Sequence, residues 1–205
     1  MKHKIIIILI SLFFASTYAF AAENEIQLLD RAANTISTSP TVSAKYTLTT
    51  SDGSRVSGAI TISGNRFLMD TGDIKVWYDG KTQWTYIVSS QEVNINEPTA
   101  AELQQINPIL IIKSFRDNYT ITPVKSTQTE STLSLKSKKA NAEIPMVTVT
   151  LNKSTSLPSK ISLKNASGQS ATIQITSINI GKKLSDASFK FQTSNYPGVE
   201  IIDLR

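Results

Sequence analysis

Apolar positions follow two rhythms along this chain: helical spacing in two short places and strict alternation almost everywhere else. Over residues 24–37, Ile26, Leu29, Ala33 and Ile36 fall on one side of a helix. Ser39-Pro40 ends it, because the residue before a proline is pushed out of the helical region. Period two then takes over. Val42, Ala44, Tyr46 and Leu48 alternate with polar residues, Ser51-Asp52-Gly53-Ser54 turns the chain, and residues 56–62 return as a second strand. Gly64-Asn65 punctuates before a strand over 66–69, and residues 92–96 extend the sheet after Ser89-Ser90. Further strands are predicted over 119–124, 133–138, 146–151, 160–164, 171–180, 186–191 and 199–204. Consecutive strands with short turns and one apolar face predict an antiparallel meander, and no βαβ rhythm or glycine-rich phosphate loop interrupts it.

Residues 76–86 hold both tryptophans and two of the six tyrosines around Asp79-Gly80. Asp-Gly between aromatic and β-branched residues predicts a tight two-residue hairpin turn, since that turn needs positive φ. Such a turn pairs Trp77 with Thr82 and sets Trp77, Trp84 and Tyr86 on one face of the sheet. That much aromatic area must be buried, by a core or by a ligand.

The second helical place is an insert between strands. Thr99 followed three residues later by Glu102 is a capping-box pattern. Asn107-Pro108 then starts another short helix, with Asn at the cap and Pro in the first turn. Its body, Ile109-Leu110-Ile111-Ile112 followed by Lys113, Phe115 and Arg116, is apolar around more of its circumference than a surface helix needs. It reads as a plug on the open side of a curved sheet, or as a lid over an apolar cavity.

The amino terminus changes the chemical inventory. Lys2 and Lys4, an apolar run from Ile5 to Phe14 and the small-residue ending Ala19-Phe20-Ala21 form a secretory signal peptide, residues 1–21, with cleavage expected after Ala21. The run is too short to span a bilayer. Cleavage removes His3, the single histidine, and the chain has no cysteine. The mature chain, one domain over 22–205, then lacks imidazole and thiol. This excludes Ser-His-Asp and Cys-His nucleophiles and metal or redox sites built on those groups. Without cysteine it is not itself a lipid-anchored protein. Its acidic residues are few and scattered, so no enzyme and no cofactor are expected. Charge is mild, with 19 basic against 16 acidic residues left after cleavage, a net of +3. The cluster Lys136, Lys138 and Lys139 has no interleaved aromatics, which argues against nucleic acid and leaves a solvated strand face or a basic patch for an acidic partner or an anionic membrane.

These segments together resemble the LolA-type periplasmic lipoprotein carriers. The hairpin resembles their "DGK-T-x-W-x-Y" stretch, and residues 107–112 followed by Tyr119-Thr120-Ile121 resemble their lid region. Asp186-Ala187-Ser188-Phe189-Lys190-Phe191, with Tyr196-Pro197-Gly198-Val199-Glu200-Ile201, resembles their "DA-x-F-x-F … P-x-G-V-x-V" ending. The resemblance implies a mostly β fold: an incomplete, curved antiparallel half-barrel with an N-terminal helix and a short helical lid over its concave apolar face. It implies a periplasmic monomer that carries lipoprotein acyl chains from an inner-membrane exporter to an outer-membrane acceptor. It also implies an arginine latch on the lid, a role that would fall to Arg66, although the register is off by a few residues.

Lipid carriage needs an apolar, weakly anchored groove. The candidate lining is Phe67, Met69, Trp77, Trp84 and Tyr86 from the sheet and Ile109, Leu110 and Ile112 from the lid, each of which is also explained by ordinary core packing. Two other readings stand beside the carrier: a lipid-sensing regulatory module resembling RseB, and a scaffold whose groove is filled by its own lid.

Overall fold

The computed structural model describes residues 24–107 and 109–205, so the signal peptide, its cleavage site, His3 and Pro108 lie outside the described residues. Helix α1 spans residues 24–38. Its inward stripe is Leu28, Leu29, Ala32 and Ile36, while Ile26 and Ala33, predicted to face in, are half-buried at its margins. A stripe broader than one residue per turn is what a helix laid on a sheet requires.

Six strands follow: β1 (Thr41–Thr50), β2 (Arg55–Ser63), β3 (Arg66–Asp70), β4 (Ile74–Tyr78), β5 (Gln83–Ile87) and β6 (Glu92–Asn96). Three short helices come next, α2 (Ala100–Ile106), α3 (Ile109–Lys113) and α4 (Phe115–Asn118). The chain then resumes as β7 (Tyr119–Ser126), β8 (Glu130–Ser137), β9 (Met146–Asn152), β10 (Pro158–Lys164) and β11 (Ser170–Gly181), and ends in β12 (Glu200–Asp203). All twelve strands form one sheet in the order β12-β6-β5-β4-β3-β2-β1-β11-β10-β9-β8-β7. The sheet does not close, so it is the open half-barrel expected. Two antiparallel meanders meet where β1 pairs with β11. Because α2–α4 connect β6, near one edge, to β7, at the other edge, the helices necessarily cross the mouth of the curved sheet.

Two features differ from the sequence expectation. First, the 79–82 loop has four residues. Asp79 Oδ1 accepts from the Lys81 and Thr82 amides at 3.0 and 2.9 Å, and Asp79 N–H donates to Thr82 O at 3.2 Å. Gly80 supplies the positive φ of 106°. Trp77 therefore pairs with Trp84, not Thr82. A shift of two residues preserves the faces, so Trp77, Trp84 and Tyr86 do share one.

Second, residues 186–191 do not form a strand. Asp186–Phe189 is a 3-10 turn, with Ser188 N–H donating to Ser185 O and Lys190 N–H to Ala187 O. This segment crosses the sheet on its outer face, where no neighbouring strand runs alongside to complete a ladder. It then delivers β12 parallel to β6, so the sheet is not wholly antiparallel. Alternating Phe189 and Phe191 imitate a strand in sequence because every second residue of this strap must touch the sheet beneath it.

Phe189 is fully buried under the strap and carries the Arg66 guanidinium over its ring at 4.9 Å. Phe189→Ala is expected to destabilise the protein by about 3–5 kcal/mol, read from the denaturant midpoint. A loss below about 1 kcal/mol would mean that the strap contributes little to the fold.

Candidate functional site

The register decides which side chains face inward. One row runs Ile60, Met69, Val76 and Thr85 across β2–β5, and the next runs Ile62, Phe67, Tyr78 and Gln83. Both rows face α1 and the α2–α4 insert. The interleaved rows, Thr61-Leu68-Trp77-Trp84-Ile95 and Asp70-Lys75-Tyr86-Val93, face out.

The inner face encloses an apolar cavity of about 400 Å³, within the range of small-molecule sites. Its walls are Ala44, Tyr46 and Leu48 of β1, the Ile60–Thr85 row, and Ile161, Leu163, Ile173 and Ile175 of β10 and β11. Ile106, Asn107 and Ile109 of the helical insert roof it. Helix α1 is tied toward the β7–β9 side of the sheet. Glu25 accepts from Ser126 at 2.6 Å and pairs with Lys153 at 3.2 Å, and Arg31 donates to Ser156 at 3.2 Å. Gly58 sits opposite Tyr46, where a Cβ would come within 2.7 Å of the Tyr46 hydroxyl and 3.0 Å of the Asp70 carbonyl. Glycine there lets the Tyr46 ring lie along the cavity wall. Burial, and then the Asp70 carboxylate, push the Tyr46 phenol above its ordinary pKa, so it stays neutral.

The roof is built as its sequence suggests. Thr99 and Glu102 close a capping box at the start of α2. Asn107 then does three things at the joint. Its N–H donates to Leu103 O at 2.8 Å, its carbonyl accepts from Leu110 N–H at 3.0 Å, and its Oδ1 accepts from Ile109 N–H at 3.2 Å. Ile111, Ile112 and Phe115 fill the core behind the roof. Two polar ties hold the insert down. Lys113 Nζ donates to Gly64 O at 2.8 Å, and Arg116 Nε donates to Asp30 of α1 at 2.6 Å. Burial lowers the Lys113 ammonium from the usual lysine value.

Of the residues singled out in sequence, Met69 and Ile109 line the cavity. Phe67 points inward but is wholly buried, tilted against Tyr78 with ring centroids 5.3 Å apart. Ile112 is in the core, and Leu110 is half-buried away from the cavity lining. Trp77, Trp84 and Tyr86 are on the opposite face of the sheet. Trp77 meets Phe191 and Tyr196 edge-on at 5.4 and 5.8 Å, and Tyr86 lies 4.6 Å from Tyr196. Arg66 also faces out, bound to Asp186 and to Ser63 rather than to the lid. The tie to the lid runs the other way, from Lys113 on the insert to the β2–β3 turn.

The β10–β11 wall and the polar pair Gln83 and Asn107 were not foreseen. Alternation over Ile161, Leu163, Ile173 and Ile175 is the same whether the inner face meets a core or a cavity. In β5 the usual rule is inverted, with Gln83 and Thr85 inward and the aromatics outward. The available signal was the aromatic trio Phe189, Phe191 and Tyr196, which needs an aromatic face to cover.

A sequence profile of the family described as outer membrane lipoprotein carrier protein LolA matches residues 15–169, and the chain belongs to that family. No curated protein matches the sequence. An uncharacterized conserved protein from Thermus thermophilus has the same fold at 11% identity and a TM-score of 0.56, covering 86% of this chain and 97% of that one. A DUF1329 family protein from Desulfovibrio piger is 12% identical, with a TM-score of 0.49 over 85% of this chain and 98% of its own. A LolA superfamily protein from Nitrosomonas europaea is 12% identical, with a TM-score of 0.42 over 80% and 96%.

With both tryptophans on the outer face, an acylated peptide should leave tryptophan emission unchanged, whereas Tyr196→Ala should shift it to the red by wetting Trp77. A ligand-induced shift that disappears in Trp84→Phe would instead put Trp84 in the groove.

Proposed function

We propose that this member of the outer membrane lipoprotein carrier family is a periplasmic carrier, holding the acyl chains of lipoproteins or of another lipid in the inner cavity. The observation that supports this most is an apolar cavity left unfilled beneath a helical roof. A scaffold whose lid fills its own groove would have no such space, since Ile111 and Ile112 are already in the core and the cavity stands open beside them.

Burying an acyl chain returns about 0.8 kcal/mol per methylene, so partial entry of a sixteen-carbon chain supplies several kcal/mol of binding. With no charge to fix a head group among the described lining residues, the load can also be released. An inner-membrane exporter would fill the cavity and an outer-membrane acceptor would empty it. Nothing in this cycle needs a catalytic group.

Ile173 is half-buried on the cavity wall, so Ile173→Lys places a charge in the groove without emptying the core. Affinity for an acylated peptide, measured by calorimetry, is expected to fall at least tenfold, or about 1.4 kcal/mol, with the melting temperature within a few degrees of the parent. Unchanged affinity would contradict carriage in this cavity.

A further inference from the structure

Two polar side chains on the cavity wall lack partners. Gln83 is 6% exposed and Asn107 is 0% exposed, and both line the cavity. Gln83 Oε1 and Asn107 Nδ2 have no hydrogen-bond partner among the described residues. Buried amide atoms are almost always paired, because leaving one unpaired forfeits its hydration without return. Two such atoms in one largely apolar cavity point to a ligand that pairs them.

Their chemistry is set by their other ends. Asn107 Oδ1 is engaged by the Ile109 N–H at 3.2 Å, which turns the NH2 group into the free end. Gln83 Nε2 donates to Thr85 Oγ1 at 3.0 Å, which leaves Oε1 free. The unpaired atoms on the cavity wall are therefore one donor, on the roof, and one acceptor, on the sheet, beside the hydroxyls of Tyr46, Thr71 and Thr85. Among the described lining residues none is charged, so a free fatty-acid carboxylate would enter without a counter-charge. An ester carries acceptors only. A secondary amide carries both a carbonyl and an N–H.

We propose that the cavity selects an amide-linked acyl chain, its carbonyl accepting from Asn107 Nδ2 and its N–H donating to Gln83 Oε1. This rests on the acyl-carrier reading and narrows it to N-acylated ligands. The bound amide bridges the joint of α2 and α3 to β5, so it also ties the roof to the sheet.

The test uses lauroyl-glycine amide and its analogue with an ester oxygen in place of the acyl-linked N–H, titrated into the mature protein. The amide is expected to bind about tenfold tighter. In Gln83→Met the preference for the amide over the ester should disappear. Asn107→Asp, which keeps the Oδ1 cap on Ile109 while removing the donor, should weaken both ligands. Equal binding of amide and ester by the parent protein overturns the amide selection and leaves acyl carriage standing. Binding of neither overturns the carriage reading as well. If either variant fails to fold, the comparison in the parent protein decides alone.

Discussion

Packing of the C-terminal aromatics onto Trp77 and Tyr86 is the contact on which the rest of this architecture depends. A sheet with large apolar side chains on both faces cannot leave either one in water. Here Phe189, Phe191 and Tyr196 cover the outer face, with the Phe191 and Tyr196 ring centroids in the 4.6–6.3 Å range over which aromatic pairs attract. Arg66 clamps the start of that strap through Asp186. With the outer face settled by the chain itself, the inner face can remain incompletely filled, and its central part becomes a cavity rather than a core.

The roof over that cavity is held differently from the strap. Its buried contribution comes from Ile111, Ile112 and Phe115, but the ties from Lys113 to Gly64 and from Arg116 to Asp30 lie at the surface. The Arg116–Asp30 pair is exposed, and exposed ion pairs contribute only about 0–1 kcal/mol each. Weak ties on the roof, no charge among the described cavity-lining residues and an outer face covered by the strap are the features on which the carrier proposal rests.

The sheet was legible because alternation in β1–β11 is strong and turn residues mark the boundaries. The capping box at Thr99 and the cap at Asn107 were legible because both are local hydrogen-bond patterns. What escaped was orientation. Trp77, Trp84 and Tyr86 share a face by parity, yet parity does not say which face looks inward. That is decided by a segment more than a hundred residues downstream. The same limit turned residues 186–191 into an apparent strand, since the every-second-residue contact of a crossing strap has a strand's period. The resemblance implies an arginine near the lid, whereas the strand position of Arg66 points it at the strap and Asp186. Gln83 was passed over because polar residues in a strand ordinarily face solvent.

The carrier proposal places lipid on the inner face and not on the aromatic outer one. Titration with an acylated peptide carrying a nitroxide on its chain, followed by methyl and indole NMR, tests this most directly. The expected result is broadening of the Met69, Ile173 and Ile175 methyl signals with the Trp77 and Trp84 indoles untouched. Broadening of the indoles with those methyls unchanged would contradict it.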